Sequence, residues 1–277
     1  VTPTHLRFDE IGSWSQLKLD IVKDYAKAYS TILARQPRIR HVYIDAFAGA
    51  GIHQLKSTGV LVPGSPLNAL AVNPPFQELH LIDLDGARVD HLKELTAGRS
   101  DVFIYQGDAN DVLMREVFPR VRYEDYKRGL CLLDPYGLTL SWEVIANAAK
   151  SKAIEIFLNF PIMDMNRNAL WSNAAGVNPD DRARMSAFWG DKSWQQVVYK
   201  AQSTLFGEDD LVKAGGNTEV VRAFRARLRT VAGFAEVPEP IPMRNSKNAT
   251  VYYLFFASHN KTGAKIAREL FRIVQGK

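Results

Sequence analysis

The sequence predicts an α/β fold: a seven-stranded, doubly wound sheet that closes in a C-terminal β-hairpin and carries a helical cap insertion. Three observations predict it. His41 to Gly51 reads HVYIDAFAGAG, in which β-branched and aromatic residues lead to an acid and then to a turn of small residues. Leu79 to Asp85 reads LHLIDLD, a second apolar run ending in acid. Apolar runs then alternate with helical patterns as far as residue 160, each run ending in polar or turn-forming residues. In an open parallel sheet those carboxyl ends share one edge, where ligands bind.

The elements follow in order. A helix over about 13–36 opens at Ser13 or Ser15, both N-cap candidates, and stops at Pro37. Leu17, Ile21, Tyr25 and Ala28 recur at helical spacing, continued by Tyr29 and Ile32, while Lys18, Asp20, Lys23 and Asp24 fall mainly on the other side. Val42 to Ile44 form the first strand. Asp83 follows Asp45 by 38 positions, against about 20 in a short βαβ unit. Residues 53–66 have a loop composition, so an inserted loop is expected to fold over the ligand, with Leu67 to Val72 as the crossover helix.

Ala87 to Leu95 reads as a helix closed by Gly98, and Val102 to Tyr105 as a strand running into Gln106-Gly107-Asp108-Ala109. Asp111 to Val117 is helical. Leu130 to Asp134 is a strand emptying into Pro135-Tyr136-Gly137, Ser141 caps a helix to Lys150, and Ile154 to Leu158 is a strand ending in Asn159-Phe160-Pro161. Residues 162–215 lose the strand rhythm and read as the helical cap; Trp171, Trp189 and Trp194 there serve the core or stack on a base, core being the commoner use. Thr218 caps a helix to Val231. A Pro-rich edge strand from Val237 to Pro242 pairs, through a turn at Asn245 to Asn248, with the strand VYYLFFA from Val251 to Ala257. A helix from Thr262 to Val274 closes the chain, and residues 1–277 are expected to form a single domain.

Composition limits the function classes. No apolar run approaches the roughly 20 residues of a membrane span and no secretory leader is seen, so a cytoplasmic protein without a membrane partner is expected. The single cysteine, Cys131, lies in the apolar run LCLLD, which excludes a disulfide within the chain and a zinc-cysteine cluster. Net charge is +5, unevenly placed: Lys213 to Lys277 holds 12 Lys or Arg against 4 Asp or Glu. That basic quarter suits a polyanion such as nucleic acid, or is a solvated helix surface.

Four strands in succession end in acid: Asp45, Asp83, Asp108 and Asp134. Asp83 suits the two hydroxyls of a ribose, because a carboxylate accepts two hydrogen bonds at once. Leu84 follows it. Asp108 is placed to recognise an exocyclic amine, and Ala109 leaves room for a flat base. Asp45 meets an ammonium or holds the loop. Phe47, Ala48, Gly49 and Gly51 make a turn that lets the backbone approach a ligand closely. His53 and His259 read as structural, and no residue set has the spacing of a metal site.

This pattern resembles the class I S-adenosylmethionine-dependent methyltransferases, whose fold is Rossmann-like. DAFAGAG looks like their first motif, LIDLD their second, GDA their third and DPYG their fourth. Phe47 stands where many members carry the first glycine; cytosine and adenine DNA methyltransferases often have Phe there. More narrowly, the chain resembles the three-Cys-motif partner protein family. The matching segments are the front helix with Lys18, DAFAGAG, GSPLNAL, LIDLD, LLDPYGL, FLNFP and YYLFFASHNKTG. The Cys motif of that name belongs to a separate protein, a possible partner here. The resemblance implies S-adenosyl-L-methionine as cofactor and leaves the methyl acceptor open.

DPYG also resembles the Asp/Asn-Pro-Pro-aromatic motif of amino methyltransferases, which implies that Asp134 accepts a hydrogen bond from a target amine and Tyr136 stacks on a base. The second proline is missing, so the aromatic comes one place early. The alternative is that Asp134-Pro135 ends a strand and touches the cofactor. Asn159 and Phe160 are expected to contact substrate. Methyl transfer needs little acid–base machinery, since the protein mainly aligns nucleophile and methyl. A nicotinamide-dependent oxidoreductase would want a fuller Gly-x-Gly-x-x-Gly, but Gln54 follows Gly51 three positions on. A methyltransferase acting on a small molecule or a protein, and a non-catalytic partner subunit that keeps the cofactor site, stay open beside a nucleic-acid methyltransferase.

Overall fold

The computed structural model describes residues 8–203 and 209–276. Seven strands form its central sheet: β1 (Arg40–Asp45), β2 (Glu78–Asp83), β3 (Val102–Gln106), β4 (Lys127–Leu133), β5 (Ile154–Phe160), β6 (Ile241–Arg244) and β7 (Thr250–Ala257). Their spatial order is β3-β2-β1-β4-β5-β7-β6. The first five are parallel, and β7 is antiparallel to β5 and β6. The chain starts at β1, winds outward to β3, then returns to β4 on β1's other side. The β1/β4 boundary is therefore a topological switch point.

The strands are continuous apolar runs because both sheet faces are covered. Tyr43, Leu130, Leu132 and Phe157 point to one face, where α1 (Ser13–Leu33), α2 (Ser65–Leu70) and α10 (Lys261–Gln275) pack. Val42, Ile44, Cys131, Leu133, Ile156 and Leu158 point to the other, against α5 (Trp142–Ser151), α7 (Pro179–Trp189) and α9 (Asn217–Thr230). Short helices α3 (Gly86–Leu95), α4 (Ala109–Val112), α6 (Ile162–Asn168) and α8 (Trp194–Val198) complete the α-helices among the described residues. A π-helical turn over Leu113–Val117 extends α4.

Several elements depart from the sequence reading. α1 is capped by neither serine: Gly12 holds the N-cap position, in extended backbone, without a side-chain bond. Residues 53–66 are not a simple loop. Ile52–Leu55 pairs antiparallel with Leu61–Pro63 and parallel with Asp9–Ile11, so a three-stranded sheet stands there. Its strands are short and partly polar, and they are held by pairing to a segment some 40 residues away in sequence. Residues 162–215 hold α6 to α8 but also an antiparallel pair, Tyr199–Ser203 with Asp209–Lys213. Trp189 and Trp194 are core residues, each 1% exposed. β6 begins at Ile241 rather than Val237, because Pro238 and Pro240 lack the N–H a ladder needs. Ser141 does cap α5, accepting from the Glu143 N–H, and Asn260 caps α10. Among the described residues no helix is long and apolar enough to cross a membrane.

Candidate functional site

The carboxyl ends of β1, β4 and β5 face the first turns of α1 and the Asp9–Ile11 strand, and together they enclose a cavity of about 300 Å³. Its wall includes Asp9, Lys18, Phe47, Gly49, His53, Ser65, Asp134, Tyr136, Asn159 and Tyr252.

The turn after β1 forms one side. Gly49 and Gly51 take φ of 63° and 80°, the left-handed region that disfavours any side chain. The Ala48 N–H donates to the Ile82 carbonyl at 2.8 Å, and the Gly49 N–H donates to Asp83 Oδ2 at 2.8 Å. Asp83 Oδ1 accepts from the Asp85 N–H at 2.9 Å. The acid ending β2 thus ties the turn to the start of α3, which Asp85 caps through the N–H groups of Ala87 and Arg88. Leu84, between the two acids, is 72% exposed. Asp108 lies further along the same sheet edge and caps α4, accepting from the Asn110 N–H at 2.9 Å and Asn110 Nδ2 at 3.0 Å. It and the buried Ala109 stand outside the cavity wall.

Asp45, expected to meet an ammonium or to hold the loop, is buried beside both the Lys18 ammonium and the turn. The side chain has no exposure, and its carboxyl lies 3.4 Å from the Phe47 N–H and 3.5 Å from the Tyr43 hydroxyl. Burial pushes its pKa up to about 7, opposed by a hydrogen bond from Ser65 and reinforced by the charge of Asp134.

Asp134, just past β4, is not a lone acceptor. Lys18 donates from its ammonium to Asp134 Oδ2, and Asn159 Nδ2 donates to Oδ1 at 2.7 Å. Lys18 sits 5.8 Å from the Tyr252 ring centroid. Burial opposes its charge, but the carboxylate of Asp134, with Tyr252 and Asp45 beside it, outweighs burial and holds the pKa above the ordinary lysine range. The sequence reading placed Lys18 on the polar side of α1, yet it lies on the buried face with Val22, Tyr25 and Tyr29. The signal was available: residues 18, 22, 25 and 29 recur at i, i+4, i+7 and i+11.

Asn159 lines the cavity, but Phe160 does not, and the expectation that Phe160 meets substrate is corrected. It is 0% exposed, with ring centroids 4.6 Å from Phe224 and 5.4 Å from Phe255. β5 runs through Phe160 because β7 pairs with it there, and strand alternation sends Asn159 and Phe160 to opposite faces.

Tyr136 is 62% exposed, and its hydroxyl is held in a three-way clasp. It donates to Asp9 Oδ2 at 3.1 Å and accepts from Arg88 Nη1 at 3.0 Å, while Arg88 Nη2 meets Asp9 Oδ1 at 2.7 Å. Burial raises the tyrosine pKa and the Arg88 hydrogen bond pulls it back. Asp9 and Arg88 were not singled out from sequence, since only the fold brings α3, the Asp9–Ile11 strand and the turn after β4 together. His53 lines the cavity, its pKa lowered by burial, whereas His259 is tied to the Ala149 carbonyl at 2.7 Å. Among the described residues no cluster of three or more His, Cys, Asp or Glu could hold a metal ion.

The architecture is the Rossmann-like fold found in class I methyltransferases. A Legionella pneumophila protein of the DUF519 family is similar over 93% of this chain and 91% of its own, at 13% identity and a TM-score of 0.53. More distant likeness extends to the 23S rRNA methyltransferase ErmE (10% identity, 87% of this chain and 68% of that one, TM-score 0.37). It extends also to a SAM-dependent methyltransferase of the DUF858 family from Leishmania major (10% identity, 88% and 82%, TM-score 0.37). Scanned against family models the chain matches none, and no curated protein matches it.

Proposed function

We propose that the protein is an S-adenosyl-L-methionine-dependent methyltransferase acting on nucleic acid. The observation that carries this reading is the strand-end carboxylate of Asp83 bound to the Gly49 N–H, one strand from the switch point of a doubly wound sheet, with Gly49 itself in the cavity wall. The residues along this edge suit the cofactor, with Phe47 and Gly49 in the cavity wall and Asp83, Leu84, Asp108 and Ala109 beyond it. Asp83 would meet the ribose hydroxyls, and exposed Leu84 and the edge at Asp108 and Ala109 would take the adenine. Gly49 and Phe47 would lie along the amino-acid end. When bound, the cofactor supplies an activated methyl group. The chain's own contribution is to align the acceptor with that methyl and to exclude water. A neutral Lys18–Asp134 pair in the wall avoids an uncompensated charge there.

Nucleic acid is favoured by the basic quarter from Lys213. Part of that charge is already paired: Arg225 with Glu239, Arg227 with Asp191, Arg268 with Glu236 and Arg272 with Glu269. Arg229 and Arg272 lie in the same groove between α9 and α10. We read the chain as a single cytoplasmic domain with residues 162–215 as its cap, akin to the three-Cys-motif partner family and working with a separate cysteine-motif protein. Calorimetry with S-adenosylhomocysteine, followed by radiolabelled methyl incorporation into total RNA and total DNA, tests the reading. Failure of the unaltered protein to bind S-adenosylhomocysteine refutes it. Binding without incorporation favours the partner-subunit alternative.

A further inference from the structure

One amide in the cavity wall has only half of its hydrogen bonding complete. Asn159 is 9% exposed, and its Nδ2 donates to Asp134 Oδ1 at 2.7 Å. An ionised carboxylate only accepts, so this bond fixes which end of the amide faces Asp134. The other end, Oδ1, is buried at the cavity wall and has no hydrogen-bond partner among the described residues. A buried acceptor left unpaired is costly, and a ligand donor would remove that cost. Asp134 has less to offer a ligand, because the Lys18 ammonium neutralises its charge at one oxygen and the Asn159 amide engages the other.

We propose that Asn159 Oδ1, not Asp134, receives an N–H of the methyl acceptor, and that the acceptor is a nitrogen nucleophile such as an exocyclic amine. The proposal rests on the methyltransferase reading above. An amine can donate one N–H to Oδ1 while its lone pair points at the methyl carbon, so no base is needed at Asn159. A hydroxyl would need a base to become a nucleophile; the neighbouring carboxylate is already paired, so that task would fall to His53, which also lines the cavity, whereas an amine needs none. In the transfer, the nitrogen lone pair forms the N–C bond as the C–S bond breaks. The C–S electron pair stays on sulfur, leaving a neutral thioether. The methylated nitrogen then releases its extra proton to water.

Sinefungin tests this without knowledge of the substrate. It is the cofactor analogue in which a carbon bearing an amine replaces the methylated sulfonium, so its ammonium projects toward the acceptor position. Its affinity is compared with that of S-adenosylhomocysteine, which lacks the amine. The unaltered protein is expected to prefer sinefungin. Asn159→Leu is expected to reduce that preference by about tenfold or more, the worth of one hydrogen bond to a charged group, with S-adenosylhomocysteine affinity unchanged. Equal loss for both ligands, or an unchanged preference, overturns the proposal. If the variant binds neither because it does not fold, the structure of the unaltered protein with sinefungin decides. An amine within about 3.2 Å of Oδ1 supports the assignment and one beyond about 4 Å refutes it. Absence of binding to the unaltered protein removes the methyltransferase reading, and this proposal with it.

Discussion

Replacing Asp45 by asparagine is expected to stabilise the protein at neutral and alkaline pH while leaving it little changed in mild acid. The side chain has no exposure, and burial lifts its pKa from 3.8 to about 7. Between those values the folded chain holds a proton that the unfolded chain has released. The unfolded state therefore binds fewer protons, and stability falls as pH rises from about 4 to 7. Roughly three pH units at about 1.36 kcal/mol each make the loss on the order of 4 kcal/mol. Asparagine is nearly isosteric, keeps an acceptor for the Phe47 N–H, and never ionises. Urea denaturation followed by tryptophan fluorescence at several values between about pH 4 and pH 8 measures the difference. It should grow with pH to a few kcal/mol, at equal m values. A difference independent of pH, or a variant less stable at pH 8, would show that Asp45 is already ionised in the folded protein well below pH 7 and that burial does not raise its pKa.

Other substitutions check the remaining assignments. Asp83→Ala removes the acceptor for the Gly49 and Asp85 N–H groups, so S-adenosylhomocysteine affinity measured by calorimetry should fall by about 1.5–3 kcal/mol; unchanged affinity rejects the ribose role. Phe160→Ala should cost about 3–5 kcal/mol in denaturant unfolding, as for any large aromatic removed from a core, and a near-neutral result would contradict its burial among Phe188, Phe224 and Phe255. Arg222 and Arg229 have no partner among the described residues, whereas Arg225 is bound to the Val237 carbonyl and Glu239. Reversing Arg222 and Arg229 should therefore flatten the log–log salt dependence of RNA or DNA affinity by about two units of ~0.7–0.9 each, and Arg225→Glu should add little beyond them.

The sheet was legible because its strands are apolar on both faces and end in acids or turns, as in Val42–Asp45 and Leu79–Asp83. The closing hairpin was legible too, since VYYLFFA has no other reading. Elements made by pairing across the chain were not. The Ile52–Leu55 strand carries His53 and Gln54 and exists through its ladder to Asp9–Ile11. Asn159 looked like a strand end because a polar residue interrupted an apolar run; in the fold it is a strand residue that faces a cavity. Motif spacing located Asp45, Asp83, Asp108 and Asp134 at one edge but could not rank their exposure. Only the structure separates buried Asp45 from exposed Asp108. Lys18 was hidden by its charge, although its helical phase placed it inside.

The clasp of Asp9, Arg88 and Tyr136 has a consequence for turnover. Its ion pair is partly exposed, with side-chain exposures of 20% for Arg88 and 33% for Asp9, so added salt screens it. Asp9 and Tyr136 line the cavity, so the wall they form should loosen as salt rises. Capture of a polyanion by the basic quarter, as proposed, should weaken over the same range. On the proposed methyltransferase reading, site loosening and polyanion capture then respond to ionic strength in opposite directions, and steady-state methylation should pass through a maximum at intermediate salt. In Arg88→Met, where the wall has no ion pair to loosen, rates measured in a salt titration should fall from the start instead.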